Sequence, residues 1–292
     1  MADLPDPAAA PAAPDPSLAP TPRRAVKAAA ELADRLHPPT RGVVVLIYHR
    51  VGRASSMEVD LPADLFEAQM AWLADSGRVT TLDRALDLLA RPEAPADLAP
   101  GRDPVVITFD DGTRDLAEVA APILARHGLP ALLYVATDFV EAARPFPGDG
   151  PPLSWAELGD LVADGGWQLG SHTHTHALLD RLDPARVDDE LDRSIGLIAE
   201  RVGGPVDHFA YPKAVAGHAR AERAVRRRFR SAAVAGTRPN RYGDTDPWRL
   251  ARSPIQVSDG MRWFERKVAG GMGLEDGLRG VANHLRHRRA QT

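Results

Sequence analysis

The stretch Val105-Val106-Ile107-Thr108-Phe109-Asp110-Asp111-Gly112 decides how the rest of the chain reads. An apolar, β-branched run stops at two adjacent carboxylates and a glycine, the pattern of a buried strand delivering acids to a loop at its carboxyl end. Side chains alternate along a strand, so the two aspartates are expected to point in different directions, one binding a metal and the other standing beside the reacting water. Asp-Gly after a strand is also a common turn signal. What favours chemistry lies downstream, in Ser171-His172-Thr173-His174-Thr175-His176.

Working outward, Val43 to Tyr48 is too continuously apolar for a sheet wetted on one face, and it ends at His49. Further strands are expected at Ala131–Val135, Trp167–Gly170, Phe209–Tyr211, Ala232–Val234 and Ile255–Val257. Helical signals fall between them. Phe66, Met70 and Leu73 follow Pro62 at helical spacing, and Thr80-Thr81-Leu82-Asp83 resembles a capping box opening a helix through Leu89. Leu116 to Leu124 form a helical face in which Pro122 implies a kink or late start. Ser154-Trp155-Ala156-Glu157 matches a second capping box, and Asp183-Pro184 starts a helix carrying Leu191, Ile195, Ile198 and Val202 on one face. A basic helix is expected around Arg226 to Arg228. Alternating strands and helices imply an α/β fold with a parallel sheet, and strand count with chain length favours a closed barrel. Polar residues at strand carboxyl ends then gather at one mouth, which predicts that His49, Asp110, Asp111, His172, His176, Tyr211 and Arg252 converge.

The 292 residues suit one large α/β domain. A net charge of -4 and a pI near 6.2 provide no general basic field for nucleic acid, and the locally basic His284 to Arg289 reads as a solvated end. Without cysteine the chain has neither disulfides nor thiolate ligands, so a zinc site must use His, Asp or Glu. The Ala- and Pro-rich residues 1–22 read as a disordered arm, 23–40 as a linker with a short helix from Ala25 to Leu36, 41–260 as the folded domain, and 261–292 as a helical, basic tail. No secretory signal and no membrane span are visible, so a cytoplasmic location is expected; the oligomeric state is not legible.

His172 and His176 are four apart and can meet one ion on a helical turn or on a curved extended segment. Three histidines within five residues, after a strand, point to metal binding once Asp111 is included; His174 reads as a neighbour rather than a ligand. Two imidazoles and one carboxylate leave coordination positions open, as catalytic zinc requires, so one divalent ion, zinc, is expected. The same donor set forms the facial triad of non-haem iron oxygenases, but the alternation of strands and helices argues against that enzyme class.

"TFDDG" at 108–112 and "SHTHTH" at 171–176 together resemble the first two motifs of the polysaccharide deacetylases, the NodB-homology or family-4 carbohydrate esterases. The resemblance spans about Val43 to Val257 and implies a distorted (β/α)7 barrel of NodB-homology type. It implies that Asp110 is the general base, that Asp111, His172 and His176 are the metal ligands, and that the substrate is an N-acetylated sugar or polysaccharide. "FAYPKA" at 209–214 sits where the family has a third motif that helps hold the oxyanion, which makes Tyr211, Pro212 and Lys213 the candidates. Here Ala210 stands for the family's arginine and Lys213 for its aromatic residue; the lysine keeps a backbone N–H for an oxyanion. Arg252, in "LARSP", is the candidate for the missing guanidinium beside Asp110. "NHLRH" near the end does not match the family's last motif, whereas "IYHRVG" at 47–52 resembles the poly-N-acetylglucosamine deacetylase subgroup, with a circularly permuted motif order and His49 as the catalytic acid. O-acetyl esters, a small acetylated sugar, and a glycan-binding protein that has lost activity are the alternatives on the same fold.

Overall fold

A computed structural model describes residues 22–36 and 38–275; all of the arm expected at 1–22 except Pro22, which opens a helix, and the residues from 276 onward, including His284 and His287, lie outside the described residues. In chain order the strands are β1 (Val44–Tyr48), β2 (Arg50–Val51), β3 (Asp60–Leu61), β4 (Val105–Asp111), β5 (Ala131–Val135), β6 (Trp167–Ser171), β7 (His208–Ala210), β8 (Ser231–Ala235) and β9 (Leu250–Pro254). Strands β1, β4, β5, β6, β7, β8 and β9 close in that order into a parallel barrel, and β2 pairs with β3 beside it. The helices are α1 (Pro22–Leu36), α2 (Ala63–Ser76), α3 (Leu82–Leu89), α4 (Ala121–Arg126), α5 (Thr137–Glu141), α6 (Trp155–Ala163), α7 (Pro184–Arg201), α8 (Ala219–Arg228) and α9 (Gly260–Val268). The architecture is the expected distorted (β/α) barrel with seven strands.

The continuously apolar runs are strands buried on both faces, and their alternation divides the core into two layers. One layer holds Val44, Leu46, Tyr48, Ile107, Phe109 and Leu133, packed outward against α2 and the other helices. Tyr48, Phe66 and Phe109 meet there with ring centroids 5.2–6.0 Å apart. The other layer fills the lumen with Val45, Val106, Leu132, Tyr134, Ala210 and Ala233, and Leu82, Ala85, Leu88 and Leu89 of α3 belong to the same cluster. Gly170 lies level with Tyr134 and needs to be glycine. A Cβ there would stand 2.7 Å from the His208 carbonyl oxygen and 2.8 Å from the Tyr134 ring.

Several local expectations are corrected. Helix α3 opens on a simple N-cap, in which Thr81 accepts from the Arg84 N–H; Asp83 falls one residue short of the box position and pairs instead with Gln168 at 2.8 Å. Pro122 does mark the late start expected of it: it sits in the first turn of α4, after a π turn over Leu116–Ala120, where its missing N–H costs least. The last strand is Leu250–Pro254 rather than Ile255–Val257, because Arg252 and Pro254 interrupt the apolar run by which buried strands are recognised. Strand β7 ends at Ala210, so Tyr211 lies beyond it.

The expected linker and tail contribute packing. Lys27 of α1 pairs with Asp259 and, at 3.0 Å, with Glu275, while Lys267 of α9 donates to Asp259 at 2.8 Å. Ala30 packs with Trp263 and Met272, and Phe264 and Val268 are buried in the outer layer. The boundary expected at 260 therefore falls at the first residue of a helix that packs on the barrel. Among the described residues no helix is long and apolar enough to cross a membrane.

Candidate active site

Register brings the polar strand ends to one mouth. Tyr48 pairs with Phe109, which sets His49 level with Asp110; Asp110 pairs with Tyr134, and Val135 with Ser171, the residue before His172. Asp111, His172 and His176 each offer a ligand atom, and these atoms lie within 4.8 Å of one another. Nε2 of His176 is 3.6 Å from Asp111 Oδ1, and Nε2 of His172 is 3.9 Å from both Asp111 Oδ1 and Asp110 Oδ2. The alternation expected for the two aspartates is modified. Asp111 has φ 76°, so the chain leaves the strand at that residue and both carboxylates approach His172.

The donor set fits a divalent cation. Nδ1 of His172 lies 2.8 Å from the Ala210 carbonyl oxygen, which accepts its proton and leaves Nε2 as the lone-pair donor toward Asp111. Burial, with the neighbouring His172, pushes the His176 imidazole down to about 4, so this ring is neutral at pH 7, as a ligand must be. Thr173 and His176 also have positive φ, at 64° and 61°, and with Asp111 they concentrate unfavourable backbone at this point of the mouth. Glu190 of α7 steadies the loop by accepting from Thr175 N–H at 2.8 Å and Thr175 Oγ1 at 2.6 Å. His174 turns away from the donor set: its Nδ1 is 2.9 Å from Thr137 Oγ1 and its Nε2 3.7 Å from Asp138 Oδ1.

Asp110 occupies the lumen beneath this set, and fully buried Arg252 grips it from β9. The guanidinium donates from Nη1 to Asp110 Oδ1 at 2.6 Å and from Nη2 to Oδ2 at 2.9 Å, and Nη1 also reaches Thr108 Oγ1 at 3.1 Å. Burial alone would raise the Asp110 pKa; the charges of Arg252 and His172, with the Arg252 hydrogen bonds, together outweigh it and hold the carboxyl well below the usual carboxylate range. His49 is half-buried beside it, close enough for its charge to act on Asp110, and its buried Nδ1 has no protein partner.

The third segment divides. Lys213 is exposed, has φ 52°, and its charge acts on His176. In its turn Ala214 N–H donates to Tyr211 O and Val215 N–H to Pro212 O, bonds in which Lys213 N–H takes no part. Pro212 is buried and shapes this turn. Tyr211 does not join the mouth as expected. Ala210 faces the lumen, so Tyr211 faces out; its N–H donates to Ala233 O at 3.0 Å and its ring packs edge-on against Phe209. Thr108, Thr137, Asp138 and Glu190 were not singled out from the sequence. Thr108 carried a signal, since it lies two residues before Asp110 on the same strand face; the other three sit on elements whose distance from the site is set only by folding.

A parallel barrel with two histidines and a carboxylate at its carboxyl mouth, above an arginine-held aspartate, defines a recognisable class. Residues 97–229 match the family model described as polysaccharide deacetylase. A Bacillus subtilis protein named as a polysaccharide deacetylase, YxkH, is 28% identical over 168 residues, which cover 58% of this chain and 55% of that protein. The chain thus matches about half the length of this relative. Among solved structures, IcaB from Ammonifex degensii is 26% identical with a TM-score of 0.66, covering 78% of this chain and 98% of that one. The Streptococcus pyogenes deacetylase PplD, solved with acetate, shares the fold at 20% identity and a TM-score of 0.66, covering 79% and 99%. Over residues 97–229 the chain is thus similar to the polysaccharide deacetylases, and its barrel shares their fold.

Proposed function

We propose that this protein is a metal-dependent hydrolase that removes N-acetyl groups from an acetylated amino sugar or polysaccharide, releasing acetate and a free amine. The observation that carries the reading is the Arg252-held carboxylate of Asp110 lying 3.9 Å from His172, within the same mouth as the Asp111, His172 and His176 donors. Asp111, His172 and His176 hold one divalent cation, zinc by the nitrogen and oxygen character of the donors. When bound, the ion supplies Lewis acidity to the acetyl carbonyl and to the attacking water.

Asp110 takes the proton from that water. Arg252 keeps the carboxylate ionised and oriented, and the same charge makes it a weak base, suited to a water that the ion would acidify when bound. The backbone N–H of Lys213 is the donor for the oxyanion. His49 protonates the departing nitrogen, a poor leaving group until it carries the proton. The register that sets His49, just past β1, level with Asp110 supports this role. The cytoplasmic location belongs to this reading and is tested by cell fractionation.

The test is acetate release by purified, metal-loaded protein from N-acetylglucosamine oligomers, small N-acetylated sugars and O-acetylated glycans. Acetate with an equal amount of new primary amine from an N-acetylated sugar is the expected result. Release from O-acetyl esters alone would replace the amidase by an esterase, and glycan binding without release would make the chain a binding protein.

A further inference from the structure

Arg50 follows His49 directly and is 4% exposed, yet it plays no part in the chemistry proposed above. Its Nη1 donates to the Gly148 carbonyl oxygen at 2.9 Å, and its Nε lies 3.8 Å from Asp60 Oδ2. Asp60 in turn accepts from Arg53 N–H at 2.9 Å and Ser55 N–H at 2.7 Å. The loop over 144–152 closes onto the guanidinium. A Cβ on Gly148 would stand 3.3 Å from Nη1, and one on Gly150 would stand 3.1 Å from Thr113 Cγ2 and 3.2 Å from Cζ. The same loop is tied to the chain that follows Asp110 and Asp111, through Arg114 N–H to Pro151 O at 2.8 Å and Leu153 N–H to Gly112 O at 2.9 Å.

His49 thus sits on a short bridge between two fixed points, the barrel ladder of β1 and the β2–β3 pair, where Arg50 N–H donates to Val59 O at 3.1 Å. We infer that Arg50 is a positioning residue: it latches the 144–152 loop to the β2–β3 pair and so sets where the His49 ring stands at the mouth. A lysine would keep the charge but not a planar fork able to address Gly148 and Asp60 together. This inference rests on the reading of His49 as the acid.

The experiment compares Arg50→Lys, Gly150→Ala and His49→Ala in the full, metal-loaded chain. Gly150→Ala crowds the guanidinium without removing it, so the question stays answerable if the arginine variant folds poorly. Turnover is measured on an N-acetylated amino sugar and on a phenolic acetate ester, whose leaving group needs no acid, and amide exchange is followed over 145–152. His49→Ala is expected to lose about a hundredfold or more on the amide and far less on the ester. Arg50→Lys and Gly150→Ala are expected to keep the metal, to speed exchange in the loop, and to lose about tenfold on the amide with little change on the ester. Equal losses on both substrates, or unchanged exchange, in these two variants beside a leaving-group-dependent His49→Ala overturn the role of Arg50 alone. Equal losses in His49→Ala overturn the acid assignment, and the positioning claim with it.

Discussion

Arg252 on β9 and Asp110 on β4 form a two-pronged ion pair across the intervening strand β1, with both guanidinium Nη atoms donating to the two carboxylate oxygens. Both side chains are buried, so removing either partner strands the other charge in the lumen. Arg252→Met is predicted to cost about 3–5 kcal/mol of stability. Arg252→Lys should cost less, since it keeps the charge and loses the fork. Urea unfolding of the three proteins checks the order; a Met variant as stable as the wild type would show that the pair contributes nothing net.

Asp110→Asn is predicted to keep the metal and to lose about a hundred- to ten-thousandfold in turnover, because an amide fills nearly the same volume and cannot accept the water's proton. Metal analysis alongside initial rates makes the distinction. Unchanged turnover would leave Asp110 as a structural anchor for Arg252.

Gly170→Ala is predicted to destabilise the barrel by about 1–3 kcal/mol, since the new methyl meets the His208 carbonyl and the Tyr134 ring inside the lumen. Because His172 lies two residues on, weaker metal binding should accompany the loss. Denaturant unfolding and a metal titration of the same sample read both effects.

How far the sequence disclosed all this varies with the kind of signal. Asp110, Asp111 and the histidines were legible because a buried strand ending in clustered donors is rare for any other reason. Arg252 was legible only as a candidate: its pairing depends on register between β9 and β1, where it lies level with Val45, and that is a property of barrel closure. Tyr211 was misplaced by one residue of alternation, which reverses the face of a side chain. Helix α1 was legible as a helix from Ala25 to Leu36 but not its docking, because buried and partly buried ion pairs from Lys27 and Glu31 help hold it and leave little apolar pattern to read.

Asp259 predicts a pH dependence. Burial opposes its ionisation, but the charges of Lys267 and Lys27 outweigh this and hold its pKa below the usual aspartate value. A lowered folded-state pKa contributes stability above the unfolded value of about 4, and that stability is lost as pH falls through the folded one. Acidification from pH 6 toward pH 3 should therefore cost the wild type more than Asp259→Asn, which starts less stable at neutral pH because Lys267 and Lys27 both lose a charged partner. Parallel slopes in urea unfolding across that window would contradict the role given to the cluster.

The central claim is that Asp111, His172 and His176 hold the cation on which N-deacetylation depends. The most direct measurement strips the protein with a chelator and returns zinc in steps while following acetate release from an N-acetylated amino sugar. The account predicts no release from the stripped protein, a linear rise that saturates at one equivalent per chain, and no rise for His172→Ala over the same range. Full release from the stripped protein, or normal reconstitution of His172→Ala, would contradict it.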